Sequence, residues 1–92
     1  MKGTWNIRVT AQEGAYAVIC SPTVFGGGVA VGGTFNAAAD LTEFLDGLQV
    51  GKDETATALR VCAEAGPGQK SYTIRNVALS DEAVTRYKLH PI

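Results

Sequence analysis

The stretch Phe35-Asn36-Ala37-Ala38-Ala39-Asp40-Leu41-Thr42-Glu43-Phe44-Leu45-Asp46-Gly47-Leu48 carries its large apolar residues at helical spacing. At 100° per residue, Ala38, Leu41, Phe44, Leu45 and Leu48 share one arc, while Asp40, Glu43 and Asp46 fall on the opposite side. This pattern predicts a helix over about 35–48 that packs on a sheet and keeps an acidic outer face. Thr34 or Asn36 offers an N-terminal cap, and Gly51 suits the stop.

The sheet is written upstream. Over 4–11, Trp5, Ile7 and Val9 alternate with Asn6, Arg8 and Thr10, the period of two of a half-buried strand. Gln12-Glu13-Gly14 supplies a turn, with Gly14 free to take positive φ. Residues 15–21 then read as a more fully buried strand ended by Pro22, so the two runs form an antiparallel hairpin. Gly26-Gly27-Gly28 makes a loop, Val29-Ala30-Val31 a short third strand, and Gly32-Gly33 its close.

Downstream, 55–63 fits two readings. Asp53-Glu54 can open a second helix, yet Thr57, Leu59, Val61 and Ala63 alternate as in a strand. The turn-forming Gly66-Pro67-Gly68 and the extended 71–79 favour a second hairpin. The tail 81–89, capped by Ser80, reads as a short helix, with a last strand as the alternative. The expectation is one α+β domain over 1–92. It has an antiparallel sheet of four or five strands, one amphipathic helix across one face and a short C-terminal helix, in the order β-β-β-α-β-β-α.

Composition narrows the function. With 46% hydrophobic and 18% charged residues, the 92-residue chain belongs with globular rather than disordered sequences. It holds 8 Lys+Arg against 9 Asp+Glu, whereas phosphate-driven nucleic-acid binders carry a basic excess. The charge is divided along the chain. Residues 37–58 hold five acids and one base, while Arg60, Lys70, Arg75, Arg86 and Lys88 face only three acids after position 58. Cys20 and Cys62 lie in apolar runs without metal-ligand spacing and read as buried reduced thiols. No apolar run approaches the ~20 residues of a membrane span, and the start lacks an apolar signal core. A cytoplasmic protein without membrane contact is the expectation.

Catalytic chemistry finds little support. The one histidine, His90, sits two residues from the end of the chain. The carboxylate pairs Asp40/Glu43 and Asp53/Glu54 imply no cleft, and Cys20 reads as a core thiol rather than a nucleophile. The glycine run is not followed by Lys-Ser/Thr, so it is not a phosphate-binding loop. No enzyme, metal or cofactor is expected.

Glu13-Gly14-Ala15-Tyr16-Ala17-Val18, then Ser21-Pro22, Gly26-Gly27 and Gly32-Gly33-Thr34 before the helix, resembles the HicB-type antitoxin domain over about 4–48. Ala15 interrupts that family's Gly-Tyr pair, and no Glu-Glu-Ala follows Thr34. The resemblance implies a degraded RNase-H-like core and a toxin nuclease as partner. The expected function is a non-catalytic protein-binding module, such as an antitoxin or a phage-encoded, anti-CRISPR-like inhibitor of a nuclease complex. Asp40, Glu43 and Asp46 are its expected contact face, because an acidic stripe imitates phosphates against a basic partner. The alternative is a small nucleic-acid-binding module using Arg60, Lys70, Arg75, Arg86 and Lys88. A homodimer is also expected, with 15–21 or 29–31 as an exposed edge.

Overall fold

A computed structural model describes residues 4–12, 15–24, 28–63 and 70–92. The elements run β1 (Thr4–Gln12), β2 (Ala15–Pro22), β3 (Val31–Phe35), α1 (Ala38–Gly47), α2 (Lys52–Ala63), β4 (Lys70–Ala78), α3 (Asp81–Arg86) and β5 (His90–Pro91). The five strands form one antiparallel sheet in the order β4-β1-β2-β3-β5. The fold is therefore α+β, as the periodicities predict.

The alternation of β1 sets the two faces. Trp5, Ile7 and Val9 are fully buried, and Val18 and Cys20 of β2, Val31 of β3 and Ile74 of β4 extend the same inner face. Leu41, Phe44, Leu45 and Leu48 cover it from α1, while Ala58 and Cys62 cover it from α2. The outer face carries Arg8, Thr34, Thr73 and Arg75, all exposed.

The second hairpin is not formed, because 52–63 is helical. Thr55, Ala58 and Cys62 are its buried positions, spaced three and four apart, whereas Thr57, Leu59 and Val61 of the supposed strand are only half-buried. Asp53 and Glu54 in the first turn and Arg60 in the last complement the helix dipole. The extended 71–79 is real, but its partner is β1: Ile7 opposes Ile74 and Thr10 opposes Ser71. The α1–α2 pair carries the chain from one side of the sheet to the other, so β4 returns antiparallel to β1.

Four local expectations are also corrected. Helix α1 begins at Ala38, since Phe35 still pairs with Tyr16 in the sheet; the N-cap is Ala37, with no side-chain cap from Thr34 or Asn36. Gly51 does not end α1. Gln49 takes the left-handed turn at φ 60°, with Gln49 N donating to the Asp46 carbonyl and Val50 N to that of Leu45. Gly51 instead starts α2, its carbonyl accepting from Thr55 N at 3.0 Å. Third, β3 begins at Val31 and contains Gly32 and Gly33. A Cβ on Gly32 would stand 2.8 Å from the Val18 carbonyl oxygen, so only glycine allows this approach. Fourth, β2 lies between β1 and β3 and is no edge; among the described residues the long sheet edge belongs to β4. The turns at 13–14 and 64–69 and most of the glycine loop lie outside the described residues.

The C-terminal helix forms as read, with Ser80 Oγ accepting from Ala83 N at 3.1 Å. It ends as α1 does, with Lys88 at φ 56° and Leu89 N donating to the Val84 carbonyl. The tail beyond it is tied down: β5 pairs with β3, and Ile92 N donates to the Ala30 carbonyl at 3.0 Å.

Candidate functional site

Burial of Leu41, Phe44 and Leu45 fixes the roll of α1, so Asp40, Glu43 and Asp46 are all exposed. Their electrostatic settings differ. Asp40 lies in the first turn, where the dipole favours an acid. Asp46 lies near the C-terminal end, where the dipole disfavours one, and the last turn has no basic residue. Glu43 Oε1 is 3.8 Å from Arg86 Nη2, a solvated pair worth ~0–1 kcal/mol.

That pair sits over a docked helix. Tyr87, which caps α3, packs edge-to-face with Phe44 at 5.1 Å between centroids and with Phe35 at 6.4 Å. Its hydroxyl donates to the Glu43 carbonyl at 3.3 Å. A Cβ on Gly47 would come within 2.5 Å of the Tyr87 hydroxyl, so this glycine makes the slot into which the phenol fits. The Arg86 guanidinium lies 5.6 Å from the Tyr87 centroid.

Between α1 and this tail runs a cleft of about 650 Å³, with Phe35 in its lining, Asp40 and Glu43 from α1, and Arg86, Lys88 and His90 from the tail. Two of the three acids therefore share a cleft with cationic side chains. Sequence reasoning missed this, since nothing local links Glu43 to a residue 43 positions away.

The basic set does not converge. Arg60 is exposed on α2, Arg75 is exposed on the outer sheet face, and Arg86 and Lys88 belong to the cleft. Lys70 opens β4. Tyr72 lies on the helix side of its strand, donating to Glu54 Oε2 at 3.0 Å, and that bond raises its pKa. Arg75 therefore lies on the opposite face of the sheet from Tyr72.

Both cysteines are buried and free. Burial pushes the Cys20 thiol up to about 11 from 9.0, so it stays protonated at neutral pH. The raised value stabilises the fold in full below pH 9, and that contribution is lost as pH climbs through 11. By pH 10.5 the wild type should have lost about 2 kcal/mol more than Cys20→Ala. Urea titrations of both proteins at pH 7.5 and 10.5 measure this difference; equal losses would place the Cys20 thiol in contact with water.

Among the described residues, no three His, Cys, Asp or Glu side chains gather as a metal site, and no helix is long and apolar enough to cross a membrane. No known family, curated protein or solved structure matches the chain.

Proposed function

We propose that this chain is a non-catalytic protein-binding module that inhibits or regulates a partner, with Asp40, Glu43 and Asp46 as its contact face. The supporting observation is the division of labour on α1. The large residues of its apolar arc, Leu41, Phe44, Leu45 and Leu48, are all committed to the core, whereas its three acids take almost no part in folding. Asp46 even sits where the dipole opposes it, a position that folding alone would not favour. A row of carboxylates at this spacing suits a basic groove built for phosphates, so the partner is a nuclease or another nucleic-acid-binding protein. An antitoxin or a phage-encoded, anti-CRISPR-like inhibitor has this design. A resemblance to HicB-type antitoxins over 4–48 points the same way.

The test is the triple variant Asp40→Lys/Glu43→Lys/Asp46→Lys, compared with wild type for association with a panel of basic nucleases. Thermal stability should fall only modestly, by up to ~1.5 kcal/mol, since exposed charges contribute ~0.5 kcal/mol or less each and relief of the dipole conflict at Asp46 partly offsets loss of the Glu43–Arg86 pair. Association should slow by about tenfold or more, with a salt dependence that the variant loses. Unchanged association would remove the stripe from the contact face. A wild type retained by duplex DNA at low salt, and released by Arg75→Ala or Arg86→Ala, would favour the nucleic-acid reading.

A further inference from the structure

Among the described residues, strand β4 ends the sheet with no strand paired to its outer side along its nine residues. Its far end is blunted by a bulge: Trp5 opposes Val77 but Ile7 opposes Ile74, so Arg75 and Asn76 share Asn6, and Asn76 takes φ 59°. Its near end, 70–74, keeps regular register with β1. A groove of about 510 Å³ runs beside the strand, lined by Tyr72, Thr73, Ile74, Val50 and Glu54 among others. An unpaired edge of this kind takes an added strand through backbone hydrogen bonds.

We infer that the added strand is β4 of a second copy, paired antiparallel about a two-fold axis through Thr73. That register sets Tyr72 opposite the second copy's Ile74, a favourable aromatic and β-branched pair, and does so twice. Ser71 then opposes Arg75 and Thr73 opposes itself, so no like charges meet across the junction. The helices supply the complementarity that selects this partner. Glu54 and Arg60 both stand near Tyr72, and along α2 they are equally spaced about Thr57. A two-fold approach of two α2 helices therefore brings each Glu54 towards the other copy's Arg60. The chain's net charge of −1 offers almost no repulsion to self-pairing. Helix α1 packs on β3 and α2, which leaves the acidic stripe outside the junction.

Sedimentation equilibrium over the micromolar range should show a monomer–dimer equilibrium for the wild type. Thr73→Lys places two lysines face to face on the axis, at an exposed position, and should weaken the dimer about tenfold or more, while Arg8, its cross-strand neighbour on β1, should make the loss of thermal stability at high dilution small rather than zero. Glu54→Arg or Arg60→Glu alone should weaken it, and the double swap should restore it. Amide exchange at 71–74 should slow as concentration rises. A wild type that stays monomeric throughout, a dimer indifferent to Thr73→Lys, or a double swap without rescue would each overturn the proposal. None of these measurements involves the partner of the acidic stripe, so the two readings fail separately.

Discussion

Phe44→Ala is expected to cost about 3–5 kcal/mol, a large share of the roughly 5–14 kcal/mol that a domain of this size holds. Phe44 is fully buried and is the residue on which two structural units meet. Its ring lies 5.1 Å from Phe35 on β3 and 5.1 Å from Tyr87 beyond α3. Truncation removes the transfer free energy of a phenyl ring and both aromatic contacts, each worth about 0.5–1.5 kcal/mol beyond area. The loss should be uneven. Tyr87 keeps its hydrogen bond to the Glu43 carbonyl but loses the surface that orients it, so α3 should loosen before the sheet does. Urea unfolding followed by far-UV circular dichroism gives the total, and amide exchange at 84–87 gives the local part. Phe44→Leu, which keeps most of the volume, should cost less than about 1.5 kcal/mol. A loss below about 1 kcal/mol for the alanine variant would mean that the α1–α3 junction does not depend on this ring.

The contrast between α1 and α2 explains what a sequence of this kind reveals. Helix α1 buries Leu41, Phe44 and Leu45, large side chains whose spacing excludes a strand, and its acids complete the wheel. Helix α2 buries Thr55, Ala58 and Cys62, which are small or ambivalent, while its bulkier Leu59 and Val61 stay half-exposed and mimic alternation. The weight of a hydrophobic pattern lies in its large residues, so α2 was legible only through its first-turn acids Asp53 and Glu54. The strand after it was readable as a strand but not by its partner, because β1 lies some 60 residues away and no local turn specifies the pairing. The candidate site divides in the same way. Exposure of Asp40, Glu43 and Asp46 follows from the helical period alone, whereas the cleft with Arg86, Lys88 and His90 is created by tertiary docking. Gly47 and Gly32 belong with the cleft: the reason for each is an atom from elsewhere, the Tyr87 hydroxyl and the Val18 carbonyl.

Trp5→Ala should match Phe44→Ala in size, at about 3–5 kcal/mol, but for a different reason. The indole is the largest fully buried side chain, and Gly28, at φ 142°, lies close against its six-membered ring. A Cβ at Gly28 would meet the ring at 3.1 Å, so backbone and indole are in close contact and the segment before β3 rests on it. Removing the indole opens a cavity under that segment, which a glycine backbone at left-handed φ cannot fill with a side chain of its own. Against this loss stands one unfavourable feature. Trp5 Nε1 is buried with no acceptor among the described residues, and an orphaned donor costs about 1–3 kcal/mol. Trp5→Phe separates the two contributions, because it keeps most of the ring and discards the N–H. Its expected cost is below about 2 kcal/mol, part of the lost volume being offset by relief of the orphan. Both variants lack the only tryptophan, so unfolding must be followed by circular dichroism in place of indole emission. If Trp5→Phe proves as costly as Trp5→Ala, then the Nε1 donor is satisfied in solution and its hydrogen bond helps to hold the β1 end of the core.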